Sequence, residues 1–321
     1  MKAKSKFVER FKNSQISSVT VALLLLLVLV SIFNGSRFWK IGNLVTVASN
    51  ASIVGILACG MTLVIILGEI DLSIAANAVY ASVIMGVLYT NLGVNPLLAL
   101  IVGLIVSTIF GVINGLIISK LKFNSMITTL SMQLIVRALC YSTTNAVAME
   151  VGGDFYKLIG RTRVFGRLPI YVLYFVAVIA IFSYVLTQTA YGRRVFAIGG
   201  NESATYLSGV NVDRTKITAY ALCGLLAGVA GIANALSVSY ATPQAMTGRE
   251  FEVIASVVLG GVSLNGGRGS MLGTFLGVLV MAIISNVLIL IGIQSYWQSF
   301  GQGVILLIAV YIDGLRTSGN K

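Results

Sequence analysis

The sequence predicts an all-α integral membrane protein, and three observations carry that prediction. Of 321 residues, 57% are hydrophobic and only 10% are charged, giving a mean hydropathy of +0.95. So little charge suits a hydrocarbon solvent rather than water. Long apolar runs recur along the chain, and nothing between them is long enough for a separate soluble domain. The 22 basic and 10 acidic residues fall mainly in the connections, where they set topology, so the net charge of +12 is not read as nucleic-acid binding.

The apolar runs predict about ten transmembrane helices, near residues 16–33, 44–67, 72–90, 97–119, 126–144, 169–188, 217–239, 251–264, 271–291 and 296–313. The first follows Lys2, Lys4, Lys6, Arg10 and Lys12. At about 18 residues it exceeds a signal-peptide core, and Asn34-Gly35-Ser36-Arg37 follows it, so an uncleaved first span is expected. The eighth run is short enough for a half-helix or re-entrant piece. With both termini cytoplasmic, the inner connections hold about 14 of the 22 basic residues, in keeping with the positive-inside bias. The segment 145–168 runs against it, with Lys157, Arg161, Arg163 and Arg167. It is placed outside because Lys120 and Lys122 before it, and Arg193 and Arg194 after it, need the inside.

Residues 1–321 thus read as a single transmembrane domain with one conspicuous polar interruption, Tyr191–Lys216. Arg193 and Arg194 open this segment, Arg214 and Lys216 close it, and Ala204–Leu207 is a short helix candidate preceded by Ile198-Gly199-Gly200-Asn201-Glu202. Such a segment sits in water or against a soluble partner, and its glycines and basic edges suit a cytoplasmic docking element.

Enzyme chemistry is poorly provided for. The absence of histidine excludes a Ser-His-Asp site and His metal ligation. Cys59, Cys140 and Cys223 lie in apolar runs with no Cys-x-x-Cys spacing and read as reduced packing residues. Asn265-Gly266-Gly267-Arg268-Gly269 lacks the Lys-Ser/Thr ending and preceding strand of a phosphate cradle, and reads as a tight inner turn. No catalytic residue, metal site or cofactor is expected in this chain.

Polar residues inside the apolar runs are the candidates for a path or gate: Asp71, Ser73, Asn77, Asn114, Gln133, Arg137 and Asn286. Asp71 or Ser73 stands where a helix N-terminus wants an acceptor, so capping competes with gating. Arg137 is a mid-span charge that must face the bundle interior, a pore or a carboxylate, and Gln133 lies one helical turn away on the same face. The amides of Asn77, Asn114, Asn234 and Asn286 suit weak contact with sugar hydroxyls, and equally suit helix–helix hydrogen bonding. Glu250 and Glu252 stand at a span start, where the helix dipole favours acids. Gly103, Gly111, Gly115, Gly224, Gly228, Gly231, Gly273 and Gly277 recur at three- and four-residue steps, as close-packing positions do. Leu67–Ser73 and Leu259–Asn265 echo one another, as pseudo-symmetric halves of a transport path would.

Several of these segments together resemble the membrane subunit of bacterial carbohydrate ABC importers, the branch serving ribose, arabinose, xylose and galactose. The matching segments are Ala58–Ile65, Ile70-Asp71-Leu72-Ser73, Tyr191-Gly192-Arg193-Arg194, Ala197–Ala204, Leu207-Ser208-Gly209-Val210 and Val258–Gly269. They occur in the family's order across about residues 40–313. Leu121–Leu130 and Asp213–Ile217 look most like the arabinose permease subunit. The chain departs from the pattern at Glu69, where the family has glycine, and at Ala75 or Ala76.

The resemblance implies the ten-helix importer fold of vitamin-uptake ABC permeases, working by alternating access. It implies a partner ATPase with tandem nucleotide-binding halves, which carries ATP and magnesium, together with an extracytoplasmic sugar-binding protein and a second permease subunit in a homo- or heterodimer. The coupling helix falls in the loop at about 190–216, on Gly199, Gly200, Asn201, Glu202, Ala204, Thr205 and Gly209. The expected location is the bacterial inner membrane. Competing readings are an ABC permease for a nucleoside or sugar-like signalling molecule, an ion-coupled secondary carrier and a passive channel. A carrier needs midplane carboxylates, whereas most acids here lie at span edges or in loops.

Overall fold

A computed structural model describes residues 15–318. Each apolar run of the sequence holds a helix, in the order α1 (Gln15–Phe38), α2 (Ile41–Ile66), α3 (Ile74–Thr90), α4 (Pro96–Lys120), α5 (Ser125–Thr144), α6 (Asp154–Arg161), α7 (Ile170–Gln188), α8 (Ala190–Gly200), α9 (Glu202–Leu207), α10 (Val212–Val238), α11 (Arg249–Leu259), α12 (Met271–Leu290) and α13 (Ser295–Ser318). Among the described residues, α1, α2, α4, α7, α10 and α12 are long and apolar enough to cross a membrane. The basic residues from Lys2 to Lys12, and Lys321, lie outside the described residues.

Local chemistry sets the helix ends. Asn95, Asn124, Asn201, Asn211 and Ser270 each cap a helix, their side-chain oxygens accepting from backbone N–H groups of the first turn. Pro96 follows the Asn95 cap at the start of α4, where its missing N–H costs nothing. The first helix runs on past its expected end near residue 33 but breaks at Asn34 (φ −141°), within the polar Asn34-Gly35-Ser36. The eighth apolar run yields α11, whose 11 residues span only about 16 Å. It is the short element that run predicts.

α2 forms the centre of the core, buried almost throughout from Ala51 to Ile66, and α10 packs across α2, α3 and α4. Glycine makes that approach possible. A Cβ on Gly111 would strike the carbonyl of Tyr220, and one on Gly231 the carbonyl of Ala78. Gly273 and Gly277 of α12 meet Gly260, at the end of α11, and Ser256 of α11 in the same way. Backbones this close gain dispersion and weak C–H···O contacts that larger side chains would forbid. Cys59, Cys140 and Cys223 are free and buried.

The bundle has two unlike ends. One carries α8, α9 and the turns at 67–73, 120–124 and 260–270. The other carries α6 and two short ladders. β1 (Met149–Glu150) pairs antiparallel with β4 (Tyr240–Ala241), and β2 (Arg163–Val164) with β3 (Leu168–Pro169). Tyr156 of α6 donates to the Pro96 carbonyl, and Thr90 to that of Glu150. The basic segment 145–168 therefore lies at the end remote from Arg193 and Arg194. Its amphipathic α6 was not foreseen, because eight residues that follow two glycines and hold a third, Gly160, give too short a periodic signal.

Candidate functional site

The polar interruption folds as two helices meeting at a corner. Thr189 caps α8, and the chain then turns at the extended Asn201 (φ −160°), whose carboxamide oxygen accepts from Ala204 N at 2.9 Å. The expected short helix at Ala204–Leu207 is α9, begun two residues earlier. Val195 and Ile198 anchor α8 in the core, while Arg193 and Arg194 point outward. Only Thr205 of α9 is buried; Tyr206 and Leu207 are 70% and 84% exposed. Large apolar side chains at a tip, left uncovered among the described residues, mark a contact surface. Beside them runs a groove of about 1170 Å³ lined by Lys120, Lys122, Glu202, Tyr206 and Asp213, with Asp213 held by Lys120 at 2.8 Å and by Lys122 at 3.3 Å.

Gly199 seats the corner. A side chain there would run into the carbonyl of Ile66 and the N–H of Gly267, so only glycine lets the three backbones meet. Gly267 N donates to that same Ile66 carbonyl at 2.8 Å. Gly200, its neighbour, faces open space. Below the corner, Lys216 Nζ lies 2.7 Å from Glu69 Oε1 and 2.8 Å from Glu202 Oε2, with the Lys216 and Glu69 side chains only 8% and 11% exposed. One ammonium therefore joins α9, α10 and the turn after α2. The sequence had flagged Glu69 only as a departure and Lys216 only as a basic edge. Its signal was a lysine set immediately before a long apolar run, where a charge drawn into the bundle needs a partner.

The internal echo is a structural one. α2 and α11 end in the same glycine turn: Gly68 N bonds Ile65 O and Glu69 N bonds Val64 O, while Gly261 N bonds Val258 O and Val262 N bonds Val257 O. Asp71 then accepts from Ser73 N at 2.9 Å, and Ser263 Oγ from Asn265 N at 3.4 Å. Leu72 N is received by Thr129 Oγ1 of α5, and Leu264 N by Asp313 Oδ2 of α13. The two turns pack together, Gly68 against the Asn265 carbonyl. Both lie directly under the α8–α9 corner.

The remaining candidates are buried inside the bundle and bonded there. Ser73 Oγ donates to Asp71 Oδ1 at 2.6 Å and receives Asn114 Nδ2 at 2.9 Å. The carboxylate thus holds the turn entering α3, while the serine links it to α4. Burial pushes the Asp71 carboxyl above its ordinary range, against the two bonds from Ser73. Asn77 donates to the Ser107 carbonyl at 2.9 Å. Asn286 lies near the other end, exchanging amide bonds of 2.8–2.9 Å with Asn43.

Gln133 and Arg137 share a face of α5, as their spacing predicts. Gln133 donates to Glu250 Oε1 at 2.8 Å, and Arg137 Nη1 to the carbonyls of Pro243 and Ala245 at 2.8 and 3.0 Å. Among the described residues, the bonds made by the Arg137 guanidinium run to non-helical backbone rather than to a carboxylate. Together the two residues pin residues 243–250, the segment leading into α11. Glu250 and Glu252, expected in a first turn, stand in that of α11.

The chain matches the family described as the branched-chain amino acid transport system / permease component over residues 43–310. It is 38% identical over 306 residues to the ribose import permease protein RbsC of Escherichia coli (strain K12), covering 92% of both chains. The RbsC of Bacillus subtilis (strain 168) is 38% identical over 93% of this chain and 92% of its own. The L-arabinose ABC transporter permease protein AraH of Azospirillum brasilense is 34% identical over 85% and 80% of the two chains. No solved structure matches the chain at a significant level. An all-helical, multi-pass membrane architecture and similarity along almost the entire length lead to one conclusion: this chain belongs to the transport-system permease family of branched-chain amino acid and sugar importers.

Proposed function

We propose that this chain is the membrane-spanning permease subunit of an ATP-driven ABC importer that carries a monosaccharide into the cytoplasm by alternating access. The observation that carries the reading is end-to-end similarity to permeases named for ribose, fructose and L-arabinose, at 34–38% identity. Although the family's description names branched-chain amino acids, these relatives named for sugars span nearly the whole chain.

On this reading the end bearing α8 and α9 faces the cytoplasm, both termini lie there, and the chain crosses the inner membrane about ten times, α11 serving as a half-span. Hydrolysis of ATP belongs to a partner ATPase with tandem nucleotide-binding halves, and capture of the sugar to an extracytoplasmic binding protein. A second permease subunit, identical or related, completes the path. The coupling residues Gly199, Gly200, Asn201, Glu202, Ala204, Thr205 and Gly209 form or flank α9, whose exposed Tyr206 and Leu207 suit a soluble partner. Movement of α9 reaches the membrane through Gly199, seated on the two turns, and through Lys216, bonded to Glu69. Asp71, Ser73, Asn77, Asn114, Gln133, Arg137 and Asn286 support the moving parts from within.

Uptake by right-side-out vesicles holding the permease, ATPase and binding protein tests the reading. ATP-dependent accumulation of D-ribose, L-arabinose or D-fructose is the expected result. Accumulation by the permease alone, abolished by an uncoupler, would make it an ion-coupled carrier instead.

A further inference from the structure

A cavity of about 490 Å³ opens between α2, α11, α12 and α13, within the ~300–1,000 Å³ range of small-molecule sites. Its polar lining includes Asn50, Arg249, Glu252, Ser285, Gln298 and Gln302. Asn50 lies about 14 Å along α2 from its first residue, at a rise of 1.5 Å per residue, so the cavity is well inside the bundle's length. At that depth, amides and an ion pair facing hydrocarbon would each cost several kcal/mol, so this face meets water or protein instead. Resting on the importer reading above, we infer that this cavity is a solute subsite of the path, built for a neutral, polyhydroxylated molecule of monosaccharide size.

The chemistry of the lining selects that class. Arg249 Nη1 donates to Glu252 Oε2 at 2.7 Å, so the cavity's cation is already neutralised and offers an anionic ligand no spare positive charge. The pair still presents directional donors and acceptors, as hydroxyl groups require. Gln298 and Gln302 stand one helical turn apart on α13 and add two carboxamides. Their amide nitrogens reach the Ile293 carbonyl at 2.9 Å and Ser285 Oγ at 3.5 Å, the second at the outer limit of a hydrogen bond and readily exchanged for a ligand hydroxyl. Phe251, half exposed at the same wall, supplies a flat apolar face for the C–H side of a sugar ring.

The wall is built rather than incidental. The chain enters α11 through residues 243–248, which run as irregular backbone pinned by Arg137 of α5, while Gln133 holds Glu250 in the first turn of α11. Irregular backbone at membrane depth is tolerated where it lines a cavity, and a half-helix that begins there is a recurring way to face a solute.

The test uses the complete importer in right-side-out vesicles, with Asn50→Cys and Gln302→Cys as separate variants. The native thiols are all buried, so the introduced cysteine is the reactive one. A membrane-impermeant methanethiosulfonate reagent should modify both positions and lower uptake of the transported sugar at least tenfold. The same reagent on Leu92→Cys, at the exposed outer turn, should leave uptake unchanged. Modification of Asn50→Cys and Gln302→Cys without loss of uptake would overturn the subsite. So would failure of either to react, which would mean that lipid or the second subunit covers this face. Absence of ATP-dependent uptake in the unmodified protein would instead overturn the importer reading, and the subsite with it.

Discussion

Lys216 Nζ sits between two carboxylates, 2.7 Å from Glu69 and 2.8 Å from Glu202, and so ties the surface helix α9 to the turn that closes α2. Its two partners differ in setting: the Glu69 side chain is 11% exposed and that of Glu202 is 46% exposed. A docking partner can compete for Glu202 but not for Glu69. Lys216→Met leaves the buried Glu69 carboxylate without its cation, a loss of about 3–5 kcal/mol for a broken buried pair. Glu69→Gln is milder, since Lys216 keeps Glu202. Sugar taken up per ATP hydrolysed should fall at least fivefold in Glu69→Gln, while the ATPase still co-purifies. An unchanged ratio would reduce the pair to a purely structural role.

The corner glycines should behave oppositely. Gly199→Ala forces a methyl into the carbonyl of Ile66 and the N–H of Gly267, whereas Gly200→Ala meets nothing within 4 Å. Overpacking of this kind costs about 1–3 kcal/mol. Thermal unfolding in detergent should show a clear drop for Gly199→Ala and little change for Gly200→Ala. Equal melting of the two would show that the corner yields.

Leu207→Asp places a charge on the most exposed apolar residue of α9. At 84% exposure the side chain buries little against the described residues, so the yield and melting of the protein should stay at the parent level. Recovery of the ATPase in a pull-down should fall by tenfold or more. Undiminished recovery would move the docking surface away from α9.

Arg137→Ala withdraws the donor shared by the carbonyls of Pro243 and Ala245. Each carbonyl left unpaired in the bundle costs about 1–3 kcal/mol. Loosening the segment before α11 should lower melting and, through the neighbouring wall at Arg249 and Glu252, reduce uptake further than the loss of folded protein alone. Arg137→Lys, which can reach one carbonyl but not both, should recover part of each. Full activity in Arg137→Ala would leave the guanidinium without a purpose in transport.

Much of the architecture was legible in the residues. Apolar runs located the helices that cross the bundle, and the shortness of the run at 251–264 anticipated α11. The three- and four-residue glycine steps marked where α4 and α10 approach, and the polar stretch at 191–216 marked the corner. Each is a local property, written in composition or in spacing at helical period. The likeness of the two glycine turns was visible as well, because the same backbone bonds need the same small residues.

Which groups meet across the bundle was decided elsewhere. Nothing local pairs Glu69 with Lys216 across 147 positions, Gln133 with Glu250, or Asn43 with Asn286. Those partnerships arise because hydrocarbon surroundings leave buried polar groups only one another to bond, and helix packing selects which lie within reach. The polar cavity is a product of the same kind: its residues come mainly from four helices, and each taken alone reads as an ordinary polar residue in or beside an apolar run. Chain chemistry alone determined that this protein is a bundle of helices within a membrane; the packing of those helices decided where its charges pair and where a solute finds room.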